Sequence, residues 1–197
     1  KDINDFSLAR KLTEIIPKNH GLFIGNSMPV RAVDSFGSGK GSDIPIALNR
    51  GASGIDGLIA SACGYSSGLN RSVTLLIGDL SAFHDLNSFK LLADSKYPIV
   101  IILINNQGGG IFSLLPIAKK TEIFDEFFGT SHTFNFKSVV KMFDLNYFSS
   151  KSIDDFELKY RNALSEHKSS VIEIFTNLDE IPQKLNSIHK KIIKNTL

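Results

Sequence analysis

Short runs of hydrophobic residues recur along the chain and predict the strands of a β-sheet. Most of these runs are almost continuously apolar and rich in β-branched side chains, as expected for strands buried on both faces of a parallel sheet. The runs are Leu22–Ile24, Val73–Ile77, Ile99–Ile104 and Val171–Phe175, with a weaker one at Ile44–Leu48. We therefore predict a parallel sheet of four or five strands.

Segments with helical spacing lie between these runs. In the first of them, Leu8, Leu12, Ile15 and Ile16 recur on one helical face until Pro17 ends the pattern. The predicted helices span residues 6–16, 53–67, 86–95, 138–143, 154–166 and 178–193. Because strand and helix alternate throughout, the pattern predicts an α/β fold with a doubly wound, mainly parallel sheet and helices on both faces.

The chain shows no sign of internal division. Its 197 residues contain no internal repeat, low-complexity tract or long linker, so we expect a single domain over residues 1–197. Residues 112–136 form the longest segment without a clear hydrophobic period, and such segments in compact domains are often functional. The sequence starts at Lys1, which leads us to expect either a trimmed end or one piece of a longer protein.

The composition excludes several classes of protein. The 22 Lys and Arg residues nearly balance the 20 Asp and Glu residues, so no electrostatic surface for nucleic acid is expected. No apolar run approaches the roughly 20 residues of a membrane-spanning helix. The single cysteine, Cys63, excludes a disulfide framework and a multi-cysteine zinc site.

Glycine and polar residues follow four of the predicted strands. In open α/β sheets, ligands bind outside the carboxyl ends of the strands, near the point where the strand order reverses. The segments in question are Gly25–Arg31, Asn49–Gly57, Gly78–Ser81 and Asn105–Phe112. Their composition, which differs sharply from that of the strands, predicts a ligand site at this edge of the sheet.

Asp79 and Asn106 are the strongest candidates for a metal site. Each stands one or two residues beyond a predicted buried strand, and neighbouring strands would bring the two side-chain oxygens together. A few hard oxygen ligands of this kind suit Mg²⁺ bound jointly with substrate phosphates. Ser81 would place a hydroxyl and a helix N-terminus beside an anion. The alternative is structural, with Asp79 as a helix N-cap and Asn105-Asn106 as a turn.

The same residues resemble a known motif. Gly78-Asp79 followed by Asn105-Asn106 resembles the metal–diphosphate motif of thiamine-diphosphate enzymes, with Leu80 where Gly is usual. Four blocks together are similar to the family of 2-succinyl-5-enolpyruvyl-6-hydroxy-3-cyclohexene-1-carboxylate (SEPHCHC) synthases. The blocks are Gly78–Ser81, Asn49–Gly57, Gly25-Asn26-Ser27 with Arg31, and Gly108–Pro116. The motifs cover residues 22–116, and the remainder fits the family's carboxy-terminal domain in length and pattern.

The resemblance implies an activity and its cofactors. SEPHCHC synthases are transferases of menaquinone and phylloquinone biosynthesis. They use thiamine diphosphate and Mg²⁺, for which Mn²⁺ can substitute. The reaction decarboxylates 2-oxoglutarate and adds the resulting succinyl carbanion to isochorismate, which gives SEPHCHC.

The resemblance also implies roles for individual residues. Mg²⁺ would be held by the Asp79 carboxylate, the Asn106 side-chain oxygen and the Gly108 backbone carbonyl. Ile55 would wedge between the two rings of the cofactor, and the alternative is a buried residue in the first turn of the next helix. The implied cofactor-binding residues are Gly54, Ile55, Gly78, Asp79, Leu80, Ser81, Asn106, Gly108 and Ile111.

Both implied substrates carry several carboxylates, so the site requires fixed cations. Arg31 and Arg50 follow strand ends and could form bidentate pairs with carboxylates. Ser27 would hydrogen-bond a substrate carboxylate, and Ile111 and Phe112 would form an apolar wall. For Arg31 the alternative is a solvated helix residue.

One catalytic group of the family has no counterpart here. The glutamate that activates the cofactor lies on an amino-terminal pyrimidine-binding domain, usually of a partner subunit, and no segment of this sequence resembles that domain. We therefore expect the chain to be the carboxy-terminal domain of a three-domain homo-oligomer, dimeric or tetrameric, and to be inactive alone. The expected location is the cytoplasm, or the plastid stroma in an alga or plant.

Two other functions stay open at this point. One is a different thiamine-diphosphate enzyme, related to acetolactate synthase or to a 2-oxo acid decarboxylase. The other is a non-catalytic nucleotide-binding domain, although the Gly-x-Gly-x-x-Gly turn typical of dinucleotide binding does not follow the first strand.

Overall fold

The computed structural model describes residues 3–41, 43–178 and 180–196. These residues form two compact units. Unit 1 comprises the described residues of Lys1–Asn105 and Asn135–Thr176, and unit 2 those of Asn106–Phe134 and Asn177–Leu197. The expectation of one domain over residues 1–197 stays a prediction.

Unit 1 is built on a parallel β-sheet. Within the described residues its strands are β1 (Gly21–Ile24), β2 (Ile46–Ala47), β3 (Val73–Gly78), β4 (Ile99–Asn105), β5 (Asn146–Ser150) and β6 (Ser170–Phe175). They lie in the order β2-β1-β3-β4-β6-β5, and every neighbouring pair is parallel. The predicted α/β fold with a parallel sheet is confirmed.

The α-helices lie before, between and after the strands along the chain. In unit 1 they are α1 (Asp5–Ile15), α2 (Met28–Phe36), α3 (Leu58–Leu69), α4 (Asp79–His84), α5 (Phe89–Ala93), α7 (Lys137–Met142) and α8 (Ile153–Ser165). In unit 2 they are α6 (Thr121–Phe127) and α9 (Glu180–Thr196). Helix α1 begins at Asp5 because the Asn4 side chain accepts hydrogen bonds from the backbone N–H groups of the first turn, and α8 is capped by Ser152 in a similar way.

Both faces of the sheet are covered by apolar side chains. On one face, Leu75 of β3 packs in a cluster that includes Leu58 of α3 and Phe89 of α5. On the other, Leu76 packs in a cluster that includes Leu12 of α1. Successive strand residues point to opposite faces, so a strand covered on both sides must be apolar at every position. Each fully buried Leu or Ile contributes roughly 1.5–3 kcal/mol to this core.

Every predicted strand is present, but the sheet has six strands within the described residues rather than four or five, because β5 was not predicted. Some other elements also differ from the sequence pattern. The weak candidate at 44–48 shortens to Ile46–Ala47, and the predicted helix at 86–95 is a 3₁₀ turn, Leu86–Ser88, followed by α5. The predicted helix at 53–67 is wrong at its start. Helix α3 begins only at Leu58, because Gly57 adopts a left-handed backbone (φ +67°) that an α-helix cannot contain.

Unit 2 contains the segment that lacked a hydrophobic period. It forms 3₁₀ turns at Gly110–Leu114 and Pro116–Lys119, followed by α6. The helix predicted over 178–193 is α9, which begins at Glu180, whereas Leu178 lies in a turn and Asp179 lies outside the described residues. In the described ranges, no helix is both long enough and apolar enough to span a membrane.

Candidate functional site

The strand order reverses between β1 and β3. After β1 the chain runs to β2 on one side and then crosses to β3 on the other, which is the arrangement that opens a ligand crevice at the carboxyl ends of the strands. Gly25 follows β1 directly and donates its N–H to the Leu76 carbonyl at 2.8 Å. A Cβ at Gly25 would lie 2.9 Å from Ile77 Cγ2 and 3.0 Å from the Leu76 oxygen. The two strand ends can approach this closely only because residue 25 is glycine.

Asp79 lies where β3 gives way to α4. Its side chain is buried (2% exposed), and its Oδ1 accepts a hydrogen bond from the Leu80 N–H at 2.7 Å. The N-cap of α4 is Gly78, so the interpretation of Asp79 as an N-cap residue is wrong. Leu80 and the buried Ser81 continue the first turn, where backbone N–H groups have no acceptor within the helix and are suited to binding an anion.

Asn26 connects three parts of the site in unit 1. This buried amide donates from Nδ2 to the Gly54 carbonyl at 2.6 Å and accepts at Oδ1 from Arg50 Nη1 at 3.1 Å. Both polar ends of the side chain are therefore satisfied. The structure thus brings the predicted residues Gly54 and Arg50 together through a residue to which the sequence assigned no role.

Ile55 lies in the irregular segment before α3 and is half-buried. The alternative of a first-turn helical residue is wrong, because α3 starts three residues later. The start of that helix is held from a distance by Asp85, whose Oδ2 accepts from the N–H groups of Ile59 (2.6 Å) and Ala60 (3.1 Å). Sequence reasoning missed Asp85, since its partners lie about 25 residues away in the chain.

Buried Asp85 also influences the cysteine. Burial, together with the nearby negative charge of Asp85, raises the pKa of the Cys63 thiol to about 11. The thiol is therefore protonated at neutral pH and is a poor nucleophile. This agrees with a packing role for Cys63.

Ser27 and Arg31 lie at the start of α2. Ser27 is the N-cap residue and has a positive φ (φ 70°, ψ −129°), which is strained for a residue with a side chain. Arg31 is an exposed residue of α2, and its Nη1 donates to the Ser27 carbonyl at 2.7 Å. Ser27 and Arg31 therefore lie together in the first turn of α2, and the Arg31 guanidinium is directed back toward the end of β1.

In unit 2, the segment after β4 is held by backbone contacts. The Gly109 N–H donates to the Gly129 carbonyl at 2.8 Å, and the Gln107 carbonyl accepts from the His132 N–H at 3.2 Å. Gly108 has φ +156°, and a Cβ there would lie 2.5 Å from the Gly129 oxygen. Residue 108 can therefore only be glycine without local rearrangement.

Asn106 differs from the amide described in unit 1. Its Oδ1 is buried and accepts no hydrogen bond from any described residue. A buried amide oxygen without a donor costs about 1–3 kcal/mol, unless a group outside the chain satisfies it. Ile111 and Phe112 follow in the 3₁₀ turn; Ile111 is half-buried, and the Phe112 ring is 38% exposed and makes an edge contact with Phe128.

Each of the predicted metal ligands, taken by itself, is of a type that suits a hard cation rather than zinc. The predicted ligands are a buried carboxylate at Asp79, a buried amide oxygen at Asn106 to which no described residue donates, and the backbone of the conformationally restricted Gly108. Oxygen ligands of this type suit Mg²⁺. Over the described ranges, no cluster of three or more His, Cys, Asp or Glu side chains could hold a metal ion.

Glu173 is a further buried group that the sequence analysis did not single out. It is fully buried in β6, and its carboxylate accepts hydrogen bonds from Asn105, Phe136 and Tyr147. The signal was present, since Glu173 is the one charged residue in the apolar run Val171–Phe175.

Comparisons with known proteins show which family the chain resembles. Residues 46–174 match the family model described as thiamine pyrophosphate enzyme, C-terminal TPP binding domain. Among curated proteins, the SEPHCHC synthase of Prosthecochloris aestuarii is 45% identical over 93% of this chain and 32% of its own length. The SEPHCHC synthase of Rubrobacter xylanophilus is 42% identical over 91% of this chain and 31% of its own length.

Solved structures show the same fold. Benzoylformate decarboxylase from Polynucleobacter necessarius superposes with a TM-score of 0.73 at 18% identity, over 89% of this chain and 33% of that one. A putative thiamin diphosphate-dependent enzyme from Mycobacterium smegmatis gives a TM-score of 0.68 at 16% identity, over 89% and 32%. The chain spans about a third of the length of the curated relatives it matches. It belongs to the family of C-terminal thiamine-diphosphate-binding domains of thiamine-diphosphate enzymes.

Proposed function

We propose that this chain is the Mg²⁺–diphosphate part of a SEPHCHC synthase. Such an enzyme transfers a succinyl group from 2-oxoglutarate to isochorismate with loss of CO₂. The observation that carries the proposal is the buried Asn106 oxygen, which accepts no hydrogen bond from any described residue, in a chain whose relatives at 40–45% identity are SEPHCHC synthases. An unsatisfied oxygen at a predicted ligand position is what a metal site requires before the metal binds.

The proposed metal and cofactor contacts use the residues that follow β3 and β4. Asp79, Asn106 and the Gly108 carbonyl hold Mg²⁺, or Mn²⁺ in its place, and Gly78, Leu80 and Ser81 line the diphosphate. Gly54, Ile55 and Ile111 contact the rest of the cofactor. When bound, thiamine diphosphate supplies a carbon nucleophile for the keto group and stabilises the charge left by departing CO₂.

The substrate contacts are assigned to the two arginines at strand ends. Arg50 is held by Asn26, so its guanidinium reaches a carboxylate with little loss of side-chain freedom. Arg31, together with Ser27, offers a second cation and a hydroxyl for a further carboxylate. Ile111 and Phe112 supply the apolar wall that excludes water from the reacting carbon.

The remaining catalytic machinery is assigned to another part of the enzyme. We propose that the activating glutamate comes from the pyrimidine-binding domain of a partner subunit in a homo-oligomer. Curated relatives about three times as long as the matched region support this proposal. The isolated chain is accordingly expected to form no product from 2-oxoglutarate and isochorismate, and clear turnover by it would contradict the proposal.

Calorimetry of thiamine diphosphate binding tests the metal assignment. In the intact enzyme, binding should require Mg²⁺, and Asp79→Ala should raise the dissociation constant by about 100-fold or more, since even residues behind the metal ligands cost 10–100-fold. The control is Asp94→Ala, which removes an exposed carboxylate that pairs with Lys90. Binding that is unaffected by Mg²⁺ and by Asp79→Ala would instead favour a non-catalytic nucleotide-binding domain.

A further inference from the structure

A carboxylate lies within the parallel sheet, on the strand next to the β5 edge. Glu173 is fully buried in β6, between Ile172 and Ile174, and β6 itself lies between β4 and β5. None of the ion pairs of the described residues includes Glu173. A buried carboxylate without a cationic partner is costly, so hydrogen bonds must stabilise it.

Three donors surround the Glu173 carboxylate. Asn105 Nδ2 donates to Oε1 at 2.6 Å, the Tyr147 hydroxyl donates to Oε2 at 2.6 Å, and the Phe136 N–H lies 3.2 Å from Oε2. Burial and the hydrogen bond to Glu173 raise the pKa of Tyr147, so the phenol stays protonated and remains a donor. The carboxylate is satisfied by neutral groups from β4, β5 and the start of α7.

Two of these donors mark the ends of one chain segment. Asn105 is the last residue of unit 1 before residues 106–134, and Phe136 is the second residue after them. Asn105 is held twice, because its carbonyl also accepts from the Thr176 N–H at 3.1 Å. A single carboxylate therefore fixes the points at which the chain leaves unit 1 and returns to it.

We propose that Glu173 is a positioning residue for the metal site, acting through Asn105 on the backbone that leads directly to Asn106. The inference rests on the proposed function, in which Asn106 and Gly108 hold Mg²⁺. A purely packing role would be served better by an apolar residue, since all neighbouring positions of β6 are apolar and a lone buried charge lowers stability. The hydrogen bonds of Glu173 are directed instead at the two ends of the ligand-bearing segment.

Mn²⁺ binding to the intact enzyme tests this inference. Free Mn²⁺ is measured by electron paramagnetic resonance at saturating thiamine diphosphate, for the parent, Glu173→Gln and Asn105→Ala. Both variants should raise the dissociation constant of Mn²⁺ by about 10-fold or more, as for residues that orient metal ligands. Asn105→Ala keeps the carboxylate, so it decides the question even where Glu173→Gln does not fold.

Two controls separate positioning from general stability. Tyr147→Phe removes a donor to Glu173 that does not lead to residues 106–134, and Tyr160→Phe removes a buried hydrogen bond to Thr74 at 2.7 Å elsewhere in unit 1. Both should lower the thermal midpoint and leave the Mn²⁺ dissociation constant within about twofold, well short of the 10-fold expected for a positioning residue.

The Mn²⁺ dissociation constants distinguish failure of the positioning role from failure of the proposed function. Parental Mn²⁺ affinity in both Glu173→Gln and Asn105→Ala would overturn the positioning role while leaving the proposed function intact. Equal loss of affinity in Tyr160→Phe would also overturn it, because the effect would then follow stability alone. A parent enzyme that binds no Mn²⁺ with thiamine diphosphate would overturn the proposed function, and the inference with it.

Discussion

Two asparagines at strand ends, Asn26 in unit 1 and Asn106 in unit 2, are used in opposite ways. Asn26 has both polar ends occupied, by the Gly54 carbonyl and by Arg50, and is buried as a structural connector. Asn106 has a buried oxygen that accepts nothing from the described part of the chain. The same residue type after a β-strand can therefore be a hydrogen-bonded structural residue or a candidate metal ligand. The hydrogen-bond partners of the side chain distinguish the two.

The surroundings of the two residues differ in a matching way. The segment around Asn26 is held by side-chain hydrogen bonds, whereas the segment after Asn106 is held by its own backbone against Gly129 and His132. Because backbone hydrogen bonds hold this segment in place, the side-chain oxygen of Asn106 is not needed for that purpose and can coordinate a ligand. The contrast can be tested by breaking each kind of support separately.

The largest effect is expected at Gly108, where the backbone support is tightest. Gly108→Ala would place a Cβ 2.5 Å from the Gly129 oxygen at φ +156°, so we expect a loss of about 3 kcal/mol or more from strain and overpacking together. Urea unfolding measures the change. The matched control is Gly68→Ala in α3, where a Cβ meets nothing within 4 Å and stability should rise by about 0.5–1 kcal/mol.

The surroundings of Gly108 are only partly predictable from the sequence. The glycine run Gly108-Gly109-Gly110 marks a close backbone approach, but the group approached, Gly129, is named only by the structure. The buried strands are predictable because continuous hydrophobicity reflects coverage on both faces. Strand β5 is not, because Asn146–Ser150 is a mixed, half-buried sequence at the edge of the sheet.

In the candidate site, the sequence predicts the ligand candidates but not the residues that support them. Residue types at strand ends mark Asp79 and Asn106 as ligand candidates, and family resemblance assigns their roles. The supporting residues cannot be predicted in this way because their contacts are distant in sequence. Asn26 donates a hydrogen bond to Gly54, 28 positions away, and Asn105 donates one to Glu173, 68 positions away. Hydrophobic period and local capping carry no information about such pairs.

The comparison of the two asparagines is tested directly by removing each amide. Asn26→Ala breaks two hydrogen bonds and leaves the Gly54 carbonyl without its donor, which should lower the free energy of unfolding by about 2 kcal/mol. Asn106→Ala removes a buried oxygen that no described residue satisfies, so the metal-free protein should lose no stability and should gain up to about 1–3 kcal/mol, the cost of that unsatisfied oxygen. Urea unfolding without Mg²⁺ measures both; similar losses would contradict the distinction.

The smallest expected effect concerns the cation that Asn26 holds. Arg50→Ala should raise the KM for 2-oxoglutarate about 10-fold, equivalent to about 1.4 kcal/mol, by removing a charge-assisted contact to a carboxylate. Thiamine diphosphate affinity should stay near its parental value. Arg161→Ala, which removes an exposed arginine paired with Glu157, is the control. If Arg50→Ala weakens cofactor binding and leaves KM unchanged, Arg50 belongs with the diphosphate contacts, and a thiamine-diphosphate enzyme acting on a substrate with fewer carboxylates becomes the better assignment.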